Sequence, residues 1–317
     1  MNVQELDILN AIRKNPNVNQ REIANQSGYS LGFVNRVVKE LQEDKWLSFT
    51  GELSEKAKTF IKENQPQRAV ILAAGFGMRM VPINTEIPKG LMEVRGEVLI
   101  ERMIRHLHEV GITDIQVVVG FMKERYEYLI DEYNVQLVVN AEYQVKNNLH
   151  SLSKVKSSLD KTYIIPCDIW AEENPFSDFE PYSWYMVSDE MSVESTVRVN
   201  RKRELVVVDE EDDGNQMIGL CYVMGQEAKT VQKKLQEFSK KASYDHEFWE
   251  CTLQNKNKWI IPSKVVNSKQ LIEINTYEQL REIDGNSANL QTDAISIIQD
   301  CFNVEVDEIK NITVLKY

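Results

Sequence analysis

The sequence has few cysteines and no long apolar run, and each absence excludes a class of protein. Its four cysteines, at positions 167, 221, 251 and 301, lie far apart and form no Cys-x-x-Cys pair. This spacing excludes a disulfide scaffold and a zinc ribbon, and it predicts a reducing, cytoplasmic location. No stretch approaches the roughly 20 apolar residues of a membrane-spanning helix, and the N-terminus lacks the basic and then apolar pattern of a secretory signal. We therefore expect neither a membrane protein nor a secreted one.

The charge is acidic overall but unevenly distributed. The chain has 37 Lys and Arg against 49 Asp and Glu, which gives a formal net charge of −12. Within residues 1–64 the charges cancel, so the excess of acid belongs to the rest of the chain. An acidic body argues against sequence-independent binding of nucleic acid, because that affinity comes mainly from cations on phosphates. A local basic pocket is still compatible with this composition.

The chain of 317 residues suits two domains, of which the first is small. Residues 3–14 place apolar side chains at helical spacing, and two more helical segments follow on either side of a turn at Gly28. A short strand-like stretch at 46–51 and a last helix after Ser54 complete the pattern of a winged helix-turn-helix. The polar run around Pro66 ends this pattern. The predicted division is a winged helix-turn-helix domain at 1–64, a linker at 65–67 and a second domain at 68–317.

Polar and basic residues of the first domain predict a surface that binds DNA. The candidates are Arg21, Asn35, Arg36 and Lys39. They are few, and acidic residues of the third helix oppose them, so sequence-specific binding would need a homodimer. The alternative is a winged helix that serves protein contact or dimerisation. DNA is the interpretation that we place first.

After residue 67 the pattern changes to buried strands that alternate with helices. The predicted strands are 68–73, 115–120, 135–140 and 163–166, and the predicted helices are 98–110 and 122–133. Several strands follow between 184 and 224, and then helices near 226–241, 244–254 and 276–302. Continuous apolar strands between helices are typical of a sheet covered on both faces. We therefore predict an α/β fold, Rossmann-like, with a mixed and mostly parallel sheet, beside the small winged-helix domain.

A glycine loop follows the first of these strands, in the string AVILAAGFGMR that ends at Arg79. Such a loop indicates phosphate binding, since backbone N–H groups approach an anion only where side chains are absent. A dinucleotide fingerprint requires a third glycine at the position of Met80, and a Walker A loop requires a Gly-Lys-Ser or Gly-Lys-Thr that the chain lacks. Both of these phosphate loops are excluded. A tight turn between a strand and a helix, with solvated cations, is the remaining structural alternative.

The residues around the loop suit a nucleoside triphosphate. The two alanines before Gly75 leave room for a nucleobase and ribose, Arg79 can hold phosphates by parallel hydrogen bonds, and Lys89 can reach the α-phosphate. The predicted nucleotide-binding residues are Leu72, Ala73, Ala74, Gly75, Phe76, Gly77, Arg79 and Lys89. We predict Lys89, Arg79 and Asp168 as the catalytic residues.

Residues 68–285 resemble the sugar-nucleotide nucleotidyltransferases, and within them the bacterial choline-phosphate cytidylyltransferases. The resemblance rests on AVILAAGFGMRM, Pro88-Lys89, GITDIQVVVGF, the Asn147-Asn148-x-x-Ser151-Leu152 string and YIIPCD, which ends at Asp168. It implies a Rossmann-like sheet, a requirement for Mg²⁺, CTP as substrate and pyrophosphate as the leaving product. The sequence leaves the choice between CTP and UTP open.

The metal site is predicted at Asp168 and Asn275. Asp168 ends a buried strand, at the edge where open α/β sheets bind ligands, and a carboxylate there suits Mg²⁺. Its alternative role is to cap the next turn. The resemblance implies a second carboxylate in the pattern Glu-Ile-Asp, but here the string ends at Asn275. A neutral amide offers a carbonyl ligand and less charge, so Glu273 or another acid would compensate.

The expected reaction is in-line attack by an acceptor phosphate or phosphonate oxygen on the α-phosphorus of CTP. A choline headgroup needs aromatic faces and negative charge, and the candidates for acceptor binding are Asn148, Trp170, Tyr185, Glu194, Glu247 and Trp249. Each of these aromatic residues has core packing as its alternative. The choline enzymes are expected to carry Trp after Glu where this chain has Glu194-Ser195. Phosphocholine therefore stands first, with 2-aminoethylphosphonate or phosphoethanolamine as the alternative acceptor.

Two classes of function are compatible with the sequence. The first is an enzyme, a Mg²⁺-dependent cytidylyltransferase fused to a winged helix. The second is a DNA-binding regulator whose nucleotidyltransferase-like domain has become a ligand sensor. Lys89, Arg79 and Asp168 favour the enzyme, whereas Asn275 and the missing tryptophan keep the regulator open.

Overall fold

The computed structural model describes residues 1–16, 18–209, 211–310 and 312, which form two compact units. The first unit comprises residues 1–66 together with residues 177–182, and the second comprises residues 67–176 and 183–317. The chain therefore leaves the second unit once, for six residues that pack with the first. We call residues 177–182 the strap. None of the helices in the described part of the chain is long and apolar enough to span a membrane.

The first unit is a helical bundle with a minimal wing. Its helices are α1 Val3–Lys14, α2 Gln20–Ser27, α3 Leu31–Glu43 and α4 Glu55–Glu63. Each begins at an N-cap residue, Asn2, Asn19, Ser30 or Ser54, whose side chain accepts a backbone N–H of the first turn. The wing is held by a bridge between Leu47 and Leu53. The apolar stripes of α1 and α3 form the core, as their spacing predicts.

The second unit contains fourteen strands and six further α-helices among its described residues. The strands are β1 Arg68–Ala73, β2 Glu93–Val94, β3 Glu97–Val98, β4 Asp114–Val119, β5 Gln136–Val139, β6 Thr162–Pro166, β7 Ile169–Ala171, β8 Trp184–Ser192, β9 Val197–Val199, β10 Glu204–Val207, β11 Gly214–Val223, β12 Gln254–Asn255, β13 Lys258–Val266 and β14 Leu271–Glu273. The helices are α5 Leu99–Glu109, α6 Tyr128–Tyr133, α7 Asn148–Lys154, α8 Gly225–Phe238, α9 Tyr277–Ile283 and α10 Asp293–Phe302.

Ten strands form one mixed sheet in the order β5-β4-β1-β6-β11-β8-β13-β10-β9, with β12 beside β13. The first four strands are parallel, and their carboxyl ends form a common edge, where α/β sheets bind ligands. Strand β11 joins β6 in the antiparallel sense. The strands β7 and β14 pair with each other in a separate two-stranded sheet. The α/β fold class predicted from the sequence is confirmed.

Two segments that the pattern predicts as helices have a different structure. Residues 122–133 form a 3-10 turn, Lys123–Tyr126, followed by the short helix α6, and residues 244–254 contain the 3-10 turn Trp249–Thr252 in place of an α-helix. In each segment a buried aromatic residue, Tyr126 or Trp249, sits in the turn. Packing of these rings overrides the local helix propensity.

Candidate active site

The glycine loop lies at the carboxyl end of β1, and two glycines set its shape. Gly77 has a positive φ of 67°, which favours glycine, and a Cβ atom there would lie 3.6 Å from Cβ of Lys89. Gly120 follows β4, and a Cβ atom on it would lie 2.8 Å from the carbonyl oxygen of Ala74. Gly77 is therefore required by its backbone conformation, and Gly120 by the close approach of the backbone of Ala74. The neighbouring rings of Phe76 and Phe121 lie 4.2 Å apart between centroids.

Four polar side chains meet beside this loop and form what we call the lysine cluster, Arg79, Lys89, Asp168 and Asn275. Nζ of Lys89 donates to Oδ2 of Asp168 and, over 2.8 Å, to Oδ1 of Asn275. Nη2 of Arg79 donates to the same amide oxygen over 2.8 Å. The side chains of Lys89 and Asp168 are only 12% and 14% exposed. Every residue that the sequence predicts for catalysis and metal binding is therefore brought to one place.

The backbone positions both oxygen ligands of this cluster. Asp168 lies between β6 and β7, and its carbonyl oxygen accepts the N–H of Ile274 over 2.9 Å. Strand β14 pairs with β7, which places Glu273 opposite Ile169 and Asn275 two residues beyond. The backbone N–H of Asn275 donates to Oε1 of Gln279 over 2.7 Å. The pairing of two distant segments thus builds the site.

The oxygen atoms present suit a magnesium ion. Oδ1 of Asp168 is buried and has no hydrogen-bond partner among the described residues, and Oδ1 of Asn275 adds a neutral oxygen. The described residues contain no group of three His, Cys, Asp or Glu arranged for a metal. Magnesium in phosphate-transfer sites binds one or two carboxylates and completes its shell with water and substrate phosphates. Asp168 and Asn275 therefore fit Mg²⁺ held jointly with a phosphorylated substrate.

A second polar group, which the sequence patterns did not identify as a unit, pairs Tyr185 with Glu250 and includes Glu273, whose charge acts on both of them. We call it the acid cluster. The hydroxyl of Tyr185 donates to Oε1 of Glu250 over 3.1 Å, while Oε2 of Glu250 is buried without a hydrogen-bond partner in the described part of the chain. Burial raises the pKa of Glu250 to about 7, and the charge of Glu273 acts in the same direction. Burial likewise raises the pKa of Glu273 to about 7, and the charge of Asp168 adds to the effect. A hydrogen bond with Asn275 and the charges of Lys89 and Arg79 act in the opposite direction, so Glu273 also interacts with the lysine cluster. The cluster is thus rich in acid, and a cation would stabilise it.

Family models match both units. Residues 69–171 match the MobA-like NTP transferase domain, and residues 1–47 match the winged helix-turn-helix DNA-binding model. Each unit therefore contains a segment that is similar to one of these two domain families. The glycine loop, Lys89 and Asp168 all lie within the matched part of the nucleotidyltransferase domain, whereas the acid cluster and Asn275 lie beyond it.

Individual relatives agree with the family models. The choline-phosphate cytidylyltransferase of Streptococcus pneumoniae is 43% identical over 109 residues, 34% of this chain and 48% of the relative. The 2-aminoethylphosphonate cytidylyltransferase of Lancefieldella rimae is 29% identical over 232 residues, 68% of this chain and 91% of the relative. The solved structure of the CTP:phosphocholine cytidylyltransferase from Streptococcus pneumoniae superposes with a TM-score of 0.64 at 25% identity, covering 69% of this chain and 98% of that one. The match spans about half the length of the curated choline-phosphate enzymes. The resemblance to this group of nucleotidyltransferases is confirmed.

Three of the residues predicted to bind the acceptor lie together in the second unit: the rings of Tyr185 and Trp249 are 6.2 Å apart between centroids, and Asn148 is hydrogen-bonded to the backbone of Trp249. Tyr185 and Trp249 are buried in the main core of that unit. Trp170 lies in a second core, and the guanidinium groups of Arg95 and Arg102 lie 4.4 and 5.2 Å from its ring centroid. All three aromatic side chains therefore pack against protein groups, and of the predicted set only Tyr185 enters the acid cluster.

The polar members of that prediction have different surroundings. Oδ1 of Asn148 accepts the backbone N–H of Trp249 over 2.8 Å, so Asn148 anchors the turn that carries Glu250. Glu194 and Glu247 are exposed, with Glu194 in the segment after β8. Sequence reasoning missed Glu250 although it chose the residue before it. No motif marks Glu250, and its position beside Tyr185 is visible only in the folded chain.

The four predicted DNA-binding side chains, Arg21, Asn35, Arg36 and Lys39, are all exposed on the first unit. Arg21 and Asn35 line a groove of about 660 Å³ that also includes Phe49 at the tip of the wing. The ring of Phe49 is 98% exposed. Lys39 lies 3.6 Å from Glu43, so acid on α3 partly neutralises the surface. DNA binding by these residues stays a prediction.

Proposed function

We propose that the chain transfers CMP from CTP to an amine-bearing phosphate or phosphonate and releases pyrophosphate. The observation that carries the proposal is the convergence of Lys89, Arg79, Asp168 and Asn275 beside a glycine loop in a nucleotidyltransferase domain. An anionic oxygen of the acceptor forms a bond to the α-phosphorus of CTP. The bond from that phosphorus to the oxygen bridging to the β-phosphate breaks, and its electron pair leaves with pyrophosphate.

The protein acts in this reaction mainly by positioning and by neutralising charge. Lys89 donates to the α-phosphate as negative charge develops there, and Arg79 holds the phosphates that leave. The glycine loop offers backbone N–H groups to the triphosphate. Asp168 and Asn275 would hold Mg²⁺, which when bound would supply positive charge to the phosphates. The attacking oxygen is already anionic, so no general base is required.

In the proposed reaction the acid cluster selects the acceptor. Its two carboxylates and the Tyr185 oxygen are hydrogen-bond acceptors or anions, and Glu250 has an oxygen without a partner in the described structure. A substrate ammonium group supplies the charge that this cluster lacks. A primary ammonium also donates N–H bonds, which a quaternary one cannot. We therefore place 2-aminoethylphosphonate and phosphoethanolamine before phosphocholine, against the order that the sequence suggested.

Pyrophosphate release from CTP with Mg²⁺ tests the proposed activity. The acceptor panel contains 2-aminoethylphosphonate, phosphoethanolamine, phosphocholine and glucose 1-phosphate, and UTP replaces CTP in a parallel series. We expect turnover with the three amines, fastest with the primary amines, and little with the sugar phosphate. If no nitrogen-bearing acceptor releases pyrophosphate, the enzyme hypothesis is wrong and the ligand-sensor hypothesis remains.

For the first unit we propose DNA as the partner, since its matched family model is a DNA-binding one and the four candidate side chains are exposed. A gel-shift series with the DNA upstream of the chain's own gene, run from 50 to 200 mM salt, measures this binding. If the side chains bind DNA phosphates, the affinity for DNA falls steeply as the salt concentration rises. A chain that shifts no DNA, or binds it independently of salt, would point to a protein partner. A homodimer and a cytoplasmic location stay predictions.

A further inference from the structure

The strap, residues 177–182, completes the first unit although its neighbours in sequence belong to the second. Phe179 is fully buried and meets the ring of Phe60 edge-on, with centroids 5.9 Å apart. The guanidinium of Arg13 on α1 lies 5.3 Å from the Phe179 ring centroid and 2.9 Å from Oδ1 of Asp178. An apolar anchor and an ion pair therefore fix the strap to α1 and α4.

A single carboxylate joins the strap to the start of α3. The hydroxyl of Tyr182 donates to Oδ1 of Asp7, and the hydroxyl of Tyr29 donates to Oδ2 of Asp7 over 2.7 Å. Tyr29 directly precedes Ser30, the N-cap of α3, and its ring lies 5.2 Å from that of Phe33 in the first turn. Because α3 carries three of the four candidate DNA-binding residues, the strap contributes to the position of the surface that would bind DNA.

The residues that precede the strap in the chain connect it to Asp168 of the lysine cluster. Asp168 directly precedes β7, whose described pairing is with β14 alone, outside the ten-stranded sheet. Arg102 donates to the carbonyl oxygens of Ala171 and Glu172 over 2.9 Å each, and Nδ2 of Asn174 donates to the carbonyl oxygen of His106 over 2.8 Å. The chain between Asp168 and the strap is therefore held at successive residues. These hydrogen bonds to α5 make the segment between Asp168 and the strap an ordered connection.

We propose that occupancy of the nucleotide site changes the N-terminal turn of α3 through the strap, with Tyr182 and Asp7 as the positioning residues. The proposal rests on the proposed function, because it takes CTP with Mg²⁺ as the ligand. In this proposal the ligand draws Lys89 away from Asp168, and Asp168 moves together with the β7–β14 pair that it precedes. Linkage is reciprocal, so a partner bound to α3 changes the affinity for CTP by the same factor.

Hydrogen exchange on the full chain, with and without CTP and Mg²⁺, tests this coupling. We expect the amides of residues 28–35 and 177–182 to change their exchange rates at least threefold when the nucleotide binds. Tyr182→Phe removes one hydroxyl, and in this variant the response of residues 28–35 should disappear while CTP affinity stays within twofold. Tyr133→Phe, which removes a hydroxyl bound to Glu101, is the matched control and should respond as the parent does.

Calorimetry and a second variant distinguish failure of the proposed function from failure of the coupling. Calorimetry on the same samples reports whether CTP binds, and no binding would overturn both the proposed function and the coupling. Binding without any change at residues 28–35 would overturn the coupling alone, as would a Tyr182→Phe response equal to that of the parent. Asp7→Asn is the second variant if Tyr182→Phe fails to fold, and the same loss of response is expected from it.

Discussion

The lysine cluster and the acid cluster of the nucleotidyltransferase domain have opposite charge patterns. In the lysine cluster two cations share the oxygens of Asp168 and Asn275, and only one of those two residues is an acid. In the acid cluster two carboxylates accompany a tyrosine, and the nearest hydrogen-bonded partner of Glu250 is a neutral hydroxyl. Cations suit a triphosphate, and carboxylates suit an ammonium group. The comparison indicates a substrate pair with a polyanion at one end and a cation at the other.

Substitution of Lys89, the central residue of the lysine cluster, is expected to have the largest effect on activity. Lys89→Ala should lower turnover by about 100- to 1000-fold, because a preorganised charge at a developing oxyanion contributes roughly 3 to 4 kcal/mol to transition-state stabilisation. Pyrophosphate release at saturating CTP measures it. Lys123→Ala, which changes an exposed lysine paired with Glu124, is the control and should retain full turnover. Turnover of Lys89→Ala near that of the control would discard the assignment.

The acid cluster should reduce stability in a pH-dependent way. Burial raises the pKa of Glu250 to about 7, so the folded state keeps the proton while the unfolded state loses it, and stability falls as pH rises from about 4.5 to 7. Glu250→Gln removes this cost and should be about 3 kcal/mol more stable than the parent at pH 8 and nearly equal to it at pH 5. Urea unfolding at the two pH values measures the difference. Equal gains at both would show that Glu250 is not held protonated.

Glu250→Gln should also weaken the acceptor at pH 8, where Glu250 is ionised. Loss of a hydrogen bond between charged groups costs roughly 1.5 to 3 kcal/mol, so KM for 2-aminoethylphosphonate should rise about 10- to 100-fold. KM for CTP should stay constant, and in the parent the acceptor KM should fall as pH rises through 7. Glu247→Gln alters an exposed neighbour and is the control. A rise in KM for CTP of similar size would place Glu250 at the nucleotide.

The smallest expected effect concerns the neutral member of the lysine cluster. Asn275→Asp adds a carboxylate where Lys89 and Arg79 already donate, and added ligand charge should lower the half-saturating Mg²⁺ concentration about 3- to 10-fold. Calorimetric titration of Mg²⁺ with CTP present measures this shift. Asn303→Asp at the end of α10 is the control. An unchanged Mg²⁺ requirement would mean that residue 275 does not contact the metal.

The two clusters also differ in how far the sequence predicts them. Gly75, Gly77, Arg79 and Lys89 lie within fifteen residues, and the chemistry of a phosphate loop restricts their types, so a short string is enough to predict them. Asp168 is marked by the strand before it. Tyr185, Glu250 and Glu273 come from separate segments, and strand pairing and burial, which no local pattern encodes, bring them together. A sequence does not distinguish a tyrosine or tryptophan that binds a ligand from one that fills a core. For this reason the sequence predicts Trp170 and Trp249 as acceptor-binding residues although both pack in cores.

The most direct test of the account compares two acceptors that differ only by an amine. Pyrophosphate release from CTP is measured with 2-aminoethylphosphonate and with ethylphosphonate, in the parent and in Glu250→Gln at pH 8. The account predicts a kcat/KM about 10- to 100-fold higher for the amine in the parent, and a much smaller ratio in the variant. Equal use of both acceptors by the parent would contradict it.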